Sequence, residues 1–238
     1  MAHSYHQLGY IHYHLNDFNT ALEYLHKSLD ILRKHRKINV LAAADTYSMI
    51  GQVLFEQEID LQAALDNMQK ALDIRLKKYQ PEPQTLAKNY AQIGETLLYL
   101  HHHDEALVNL NKALEIQLRS LPNYHMDLAS TYSTISHVYH DRENYKQALS
   151  SCEKALDIYQ RCLRHNHPSL TAVHTNMANN LGELKRFNEA IIHAKEAIEI
   201  SRLYLPSGHK DIKERERILV ALQTTQKHYQ NPTMNNPQ

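Results

Sequence analysis

The chain has 238 residues, and its 26 lysines and arginines are matched by 26 acidic residues, which removes the net basicity that nucleic-acid binders show. Five glycines and seven prolines are too few for a turn-rich β protein, and the supply of Ala, Leu, Lys, Glu and Gln favours helix. No run approaches the ~18 apolar residues of a membrane span and no signal-peptide core follows Met1, so a soluble, cytoplasmic chain with no membrane partner is expected.

The first predicted element is a helix A on which Ala2, Tyr5, Leu8 and Gly9 follow one another at the steps of a single helical face. A short polar turn bearing Phe18 leads to a helix B that carries Ala21-Leu22 and then Ser28-Leu29-Asp30-Ile31. The pattern returns as Ala44, Tyr47, Ile50 and Gly51, then Leu61, Ala64-Leu65 and Ala71-Leu72-Asp73-Ile74. A third copy has Ala87, Tyr90, Ile93 and Gly94, with His103 in the turn before Ala106-Leu107 and Ala113-Leu114-Glu115-Ile116. In the fourth stand Ala129, Tyr132, Ile135 and Ser136, then Tyr145, Ala148-Leu149 and Ala155-Leu156-Asp157-Ile158. The fifth reads Thr171, His174, Met177 and Ala178, then Phe187, Ala190-Ile191 and Ala197-Ile198-Glu199-Ile200.

The alanines that open helix B are spaced 43, 42, 42 and 42 residues apart, and the one extra residue falls in the loop near residues 56–60, where it rotates no helix. Five repeats are therefore expected, over about 1–38, 39–82, 83–124, 125–166 and 167–208. Small residues hold fixed positions on both helices because packed helices lie only ~8–10 Å apart. No pair buries its apolar face alone, so each stacks on the next. The expectation is an all-α solenoid of antiparallel helix pairs.

Beyond the array, residues 209–229 carry a single apolar stripe among charges and read as a C-terminal capping helix. The tail 230–238, with two prolines and three asparagines, is expected to be disordered. Met1 falls almost inside the first helix A without a polar cap. The chain then reads as part of a longer array or as one whose first repeat is frayed and open to end-to-end self-association.

The small residues at the helix A/B crossing, the ring before helix B and the Lys-Ala-Leu-x-Ile run resemble the tetratricopeptide repeat (TPR) family. The ordinary member of that family is 34 residues long, and eight more residues add about two helical turns, one for each helix. A 42-residue period with His-Pro between repeats, as in His167-Pro168 and its relics at His125 and His209, resembles the kinesin light chain type. This resemblance implies a right-handed superhelix whose concave side is lined by helix A, and a protein-interaction scaffold or adaptor that takes a protein or peptide in that groove.

On helix A, columns that vary are free to carry specificity. The residue after the small column is Tyr10, Gln52, Glu95, His137 or Asn179, and further along the same face lie Tyr13, Phe55, Tyr99, His140 and Asp141. These residues are the candidate peptide-binding set, since Tyr and His combine apolar area with a polar tip. The Lys/Arg/Asn set with which some family members clamp a terminal carboxylate is missing, apart from Asn179. Imidazoles on this surface would charge below neutrality and repel a basic ligand.

His137, His140 and Asp141 share one helix face and could contribute to a zinc site, but no fourth ligand is evident, so no metal and no cofactor are expected. His101-His102-His103 reads as a polar turn, and Cys152 and Cys162, ten residues apart on one helix, read as reduced structural cysteines. No nucleophile, phosphate loop or metalloprotease motif is present, and no enzymatic activity is expected. The alternatives to an adaptor are a self-stacking structural array and a repeat module of a larger multidomain protein.

Overall fold

The computed structural model describes residues 1–34, 40–78 and 81–230. Among them are eleven helices and no strand, which confirms the all-α class. They fall into two compact units, Met1–Leu121 and Pro122–Gln238. The first unit holds α1 (Ala2–His14), α2 (Phe18–Lys34), α3 (Val40–Gln57), α4 (Leu61–Leu76), α5 (Pro83–Tyr99) and α6 (His103–Ser120). The second holds α7 (Met126–Asp141), α8 (Tyr145–Cys162), α9 (Ser169–Glu183), α10 (Phe187–Tyr204) and α11 (Lys210–Gln230). Apart from Gln230, which ends α11, the tail expected to be disordered lies outside the described residues.

The ring or apolar residue expected in each A–B turn is instead the first residue of helix B: Phe18, Leu61, His103, Tyr145 and Phe187 open α2, α4, α6, α8 and α10. The turn is shorter than it reads because one residue reverses the chain. Asn16, Glu58, His101, Glu143 and Lys185 adopt positive φ between 53° and 60°, each seven residues after the small column. Four of the five turns close with the 6→1 and 5→2 bonds of a Schellman motif, as in Asp17 N–H to His12 O at 2.9 Å and Asn16 N–H to Tyr13 O at 3.0 Å. In the second repeat the extra residue follows Glu58, at Ile59–Asp60, and Asp60 caps α4 by accepting the Ala63 N–H at 2.8 Å.

Packing at the A/B crossing explains the small column. A Cβ on Gly94 would lie 2.6 Å from Leu110 Cγ, and the same holds for Gly9 against Leu25 and, at 2.7 Å, for Gly51 against Met68. Where the column gains a side chain the opposite residue shrinks: Ser136 faces Cys152, Oγ to Sγ 2.8 Å, and Ala194 holds the position opposite Ala178. A second periodic contact fastens helix A to helix B. Lys70, Lys112 and Lys154 lie 5.3–6.0 Å above the rings of Tyr47, Tyr90 and Tyr132. In the fifth repeat both partners change, and His174 meets His193 instead, Nδ1 to Nδ1 at 2.9 Å.

The histidines that recur at 42 residues are helix caps. Nδ1 of His125, His167 and His209 accepts the N–H of the residue two further on, at 3.2 Å in each case. With α11 starting this way and packing on α10 and α9, the last helix takes the place of a sixth helix A. Cys152 is buried, with its thiol pushed up to about 11 by burial, whereas Cys162 is exposed, so only the first is a core residue.

Candidate protein-binding surface

In the first unit the candidate residues stand on α1, α3 and α5. Across these helices the Gln52 amide donates to the Tyr13 hydroxyl at 2.9 Å, and the Gln92 amide donates to Gln52 Oε1 at 3.4 Å. Tyr13 donates to Glu56 at 3.5 Å, and the rings of Phe55 and Tyr99 meet edge-to-face at 5.1 Å. Tyr10 packs instead on His14 of its own helix, 4.3 Å between centroids, and remains exposed. Residues from three successive repeats thus form one continuous strip of rings, amides and carboxylates.

Electrostatics on this strip are one-sided. Glu95 is exposed, yet surrounding protein raises its carboxyl above the usual range, and Glu56 adds to the rise. Dense protein on either side of an open surface produces this combination, so the shift is tempered by the water that still reaches the group. The Tyr99 phenol is raised by burial and then by Glu95, Glu58 and Glu56, and the Tyr13 phenol by burial and Glu56.

A polar anchor lies in the first halves of α3 and α5. Arg75, buried on α4, reaches Asp45 at 2.6 Å and Ser48 at 3.0 Å and also bonds Asn89, so one guanidinium ties α3 and α5 together. Neither Arg75 nor Gln92 is marked in the sequence, since an arginine or glutamine on a helix ordinarily reads as solvated.

In the second unit His137 is exposed and, among the described residues, makes no paired contact with the other candidates. Asn179 and His140 line a cavity of about 430 Å³ floored by Phe187, Ile218 and Leu222, with Glu183 and Lys185 among its other lining residues. The direct partner of His140 is Asn180, Nδ1 to Oδ1 2.8 Å, the residue next to the candidate Asn179. Asn180 follows Ile11, Val53, Thr96 and Val138 in its column, and an amide at such a buried place needs a partner, which is the signal that could have found it. Among the described residues, the ligand atoms of His137, His140 and Asp141 do not converge.

An all-helical array of pairs with matched small-residue crossings is the architecture of a repeat solenoid, a class that generally serves as a protein-interaction scaffold rather than an enzyme. The tetratricopeptide repeat pattern matches residues 1–77, 84–151 and 127–202, and the chain belongs to that family. No curated protein matches it in sequence. Solved structures share its fold. BtubC (BKLC) from P. vanneervenii is 16% identical with a TM-score of 0.71, over 93% of this chain and 95% of that one. A proposed kinesin light chain of Podosopora anserina with nearly identical TPR-like repeats is 16% identical with a TM-score of 0.68, over 86% and 97%. A Rap protein solved in complex with competence and sporulation factor is 19% identical with a TM-score of 0.69, over 92% of this chain and 64% of its own. None of the helices is long and apolar enough to cross a membrane, among the described residues.

Proposed function

We propose that this protein is an adaptor that binds a partner protein or peptide in a groove lined by its A helices, as a repeat array of the kinesin light chain type. The observation that supports this most is the strip joining α1, α3 and α5, where side chains that vary between repeats lie side by side with polar groups and ring edges facing out. Variable residues on a fixed scaffold are where specificity is carried. Affinity capture from cell lysate, with the native chain beside a Tyr99→Ala/His137→Ala variant of matched helicity, tests the reading. Partners lost only from the variant support it; partners retained by both shift the interface to the B helices or the ends.

A second reading is end-to-end self-association through the first repeat, and one observation favours it. Leu8 and Ile11 on α1 are 38% and 51% exposed, whereas their counterparts Ile50 and Val53, and Ile93 and Thr96, are buried. Light scattering over a concentration series decides it: a mass that rises in the native chain but not in Ile11→Glu supports stacking, and a constant mass rejects it.

A further inference from the structure

The partner's chemistry follows from what the strip on the first unit lacks. Elsewhere in this chain the rings of Tyr47, Tyr90, Tyr132 and Tyr124 each carry a cation of the chain itself, respectively Lys70, Lys112, Lys154 and Arg161. Among the described residues no lysine or arginine lies over Tyr13, Phe55 or Tyr99, although Tyr99 is 51% exposed. Glu56, Glu58 and Glu95 gather around these rings, and none of them is in an ion pair among the described residues. The A helices of this unit contribute a single lysine, Lys88, two turns before Glu95, and Asp45 is already paired with Arg75.

We infer that this strip docks a basic segment of the partner, with a lysine or arginine side chain set against the Phe55–Tyr99 ring pair and paired with Glu56 and Glu95. The inference rests on the groove-binding reading above and adds the sign of the ligand. A quadrupolar ring face and a nearby carboxylate both favour a cation, and each gains strength on a surface flanked by protein. Charge complementarity, rather than apolar area alone, selects the occupant. An acidic segment would meet three carboxylates that have no ion-pair partner among the described residues, and a neutral one would leave them without a counter-charge. Because the whole chain has equal numbers of basic and acidic residues, the negative character is local, and a cationic ligand is not drawn to the protein at large.

Three fluorescein-labelled decapeptides that differ only in carrying lysine, glutamine or glutamate at every third position provide the probe, read by anisotropy on the full chain at low and moderate salt. The lysine peptide is expected to bind saturably and the other two at least about tenfold more weakly. Glu56→Gln/Glu95→Gln is expected to weaken the lysine peptide about tenfold and to flatten its salt dependence. The charge-matched control Asp66→Asn/Asp73→Asn, on exposed positions of α4, is expected to leave it within about twofold. Equal binding by native chain and groove variant overturns the inference, as does absence of saturable binding of the lysine peptide. If the glutamate or glutamine peptide binds as well as the lysine one and is lost on Tyr99→Ala, the groove stands and the cation preference falls. If no probe responds to Tyr99→Ala, the groove reading fails with it.

Discussion

Exchanging the crossing of the third repeat for that of the fourth tests whether each A/B crossing is filled by one shared volume. The perturbation is Gly94→Ser with Leu110→Cys, which installs the Ser136–Cys152 pair one repeat upstream. Gly94→Ser alone places a Cβ 2.6 Å from Leu110 Cγ and 3.2 Å from the Ala106 carbonyl, and overpacking of that kind costs about 1–3 kcal/mol, partly offset by the better helix propensity of serine. Leu110→Cys alone empties a fully buried leucine site and costs about 2–4 kcal/mol. Together the new side chain enters the space the leucine vacates. The double variant is therefore expected to be less destabilised than the sum of the singles by about 1–2 kcal/mol. Urea unfolding of the four proteins, followed by circular dichroism at 222 nm, measures that coupling. Additivity within about 0.5 kcal/mol would refute the shared-volume argument, because the two positions would then be filled independently.

Acid should loosen the fifth repeat through the His174–His193 pair. Burial, and then His193, depress the His174 pKa to about 4 from 6.5, so between these values the unfolded chain binds a proton that the folded chain refuses. Stability contributed by this site is complete above about pH 6.5 and falls as pH drops towards about 4, by at most about 3 kcal/mol. Thermal melts of the native chain and of His174→Tyr, which restores the ring found in the first four repeats, are expected to diverge over that interval; parallel pH profiles would rule the mechanism out. Backbone strain gives the other prediction. Glu143 is exposed at φ 57°, where a side chain costs about 1 kcal/mol and glycine pays none, so Glu143→Gly should raise the melting temperature by a few degrees. A fall would show that the glutamate makes a contact worth more than the strain.

Much of the fold was legible because its constraints act on residue size. Two backbones crossing closely at Gly9, Gly51 and Gly94 tolerate few side chains, so the small column survives in five copies and the period stands out. The facing column of Leu25, Met68, Leu110, Cys152 and Ala194 carries no such mark, since it varies in compensation for the first and has no common chemistry. The positive-φ residues Asn16, Glu58, His101, Glu143 and Lys185 were hidden for the same reason: the constraint lies on φ, and glycine, its usual marker, is never used. Spacing picked out His125, His167 and His209, but only the geometry makes them caps. On the candidate surface the helix face was readable from periodicity. Which neighbours touch was not, because the Gln52–Tyr13 and Phe55–Tyr99 pairs join residues some 40 positions apart whose register depends on stacking.

The extra residue after Glu58 marks a seam in the chain where length is free. The Glu58 N–H returns to the Phe55 carbonyl at 3.0 Å on one side, and Asp60 starts the next helix through its own side chain on the other. Between these two closures Ile59 stands exposed, and the Gly51–Met68 crossing matches those of Gly9–Leu25 and Gly94–Leu110 despite the added residue. Additional polypeptide spliced there would form a loop at a closure cost that grows only logarithmically with its length. The second turn is thus the natural port through which such an array can carry an inserted epitope, linker or small domain while its stacked helices keep their register.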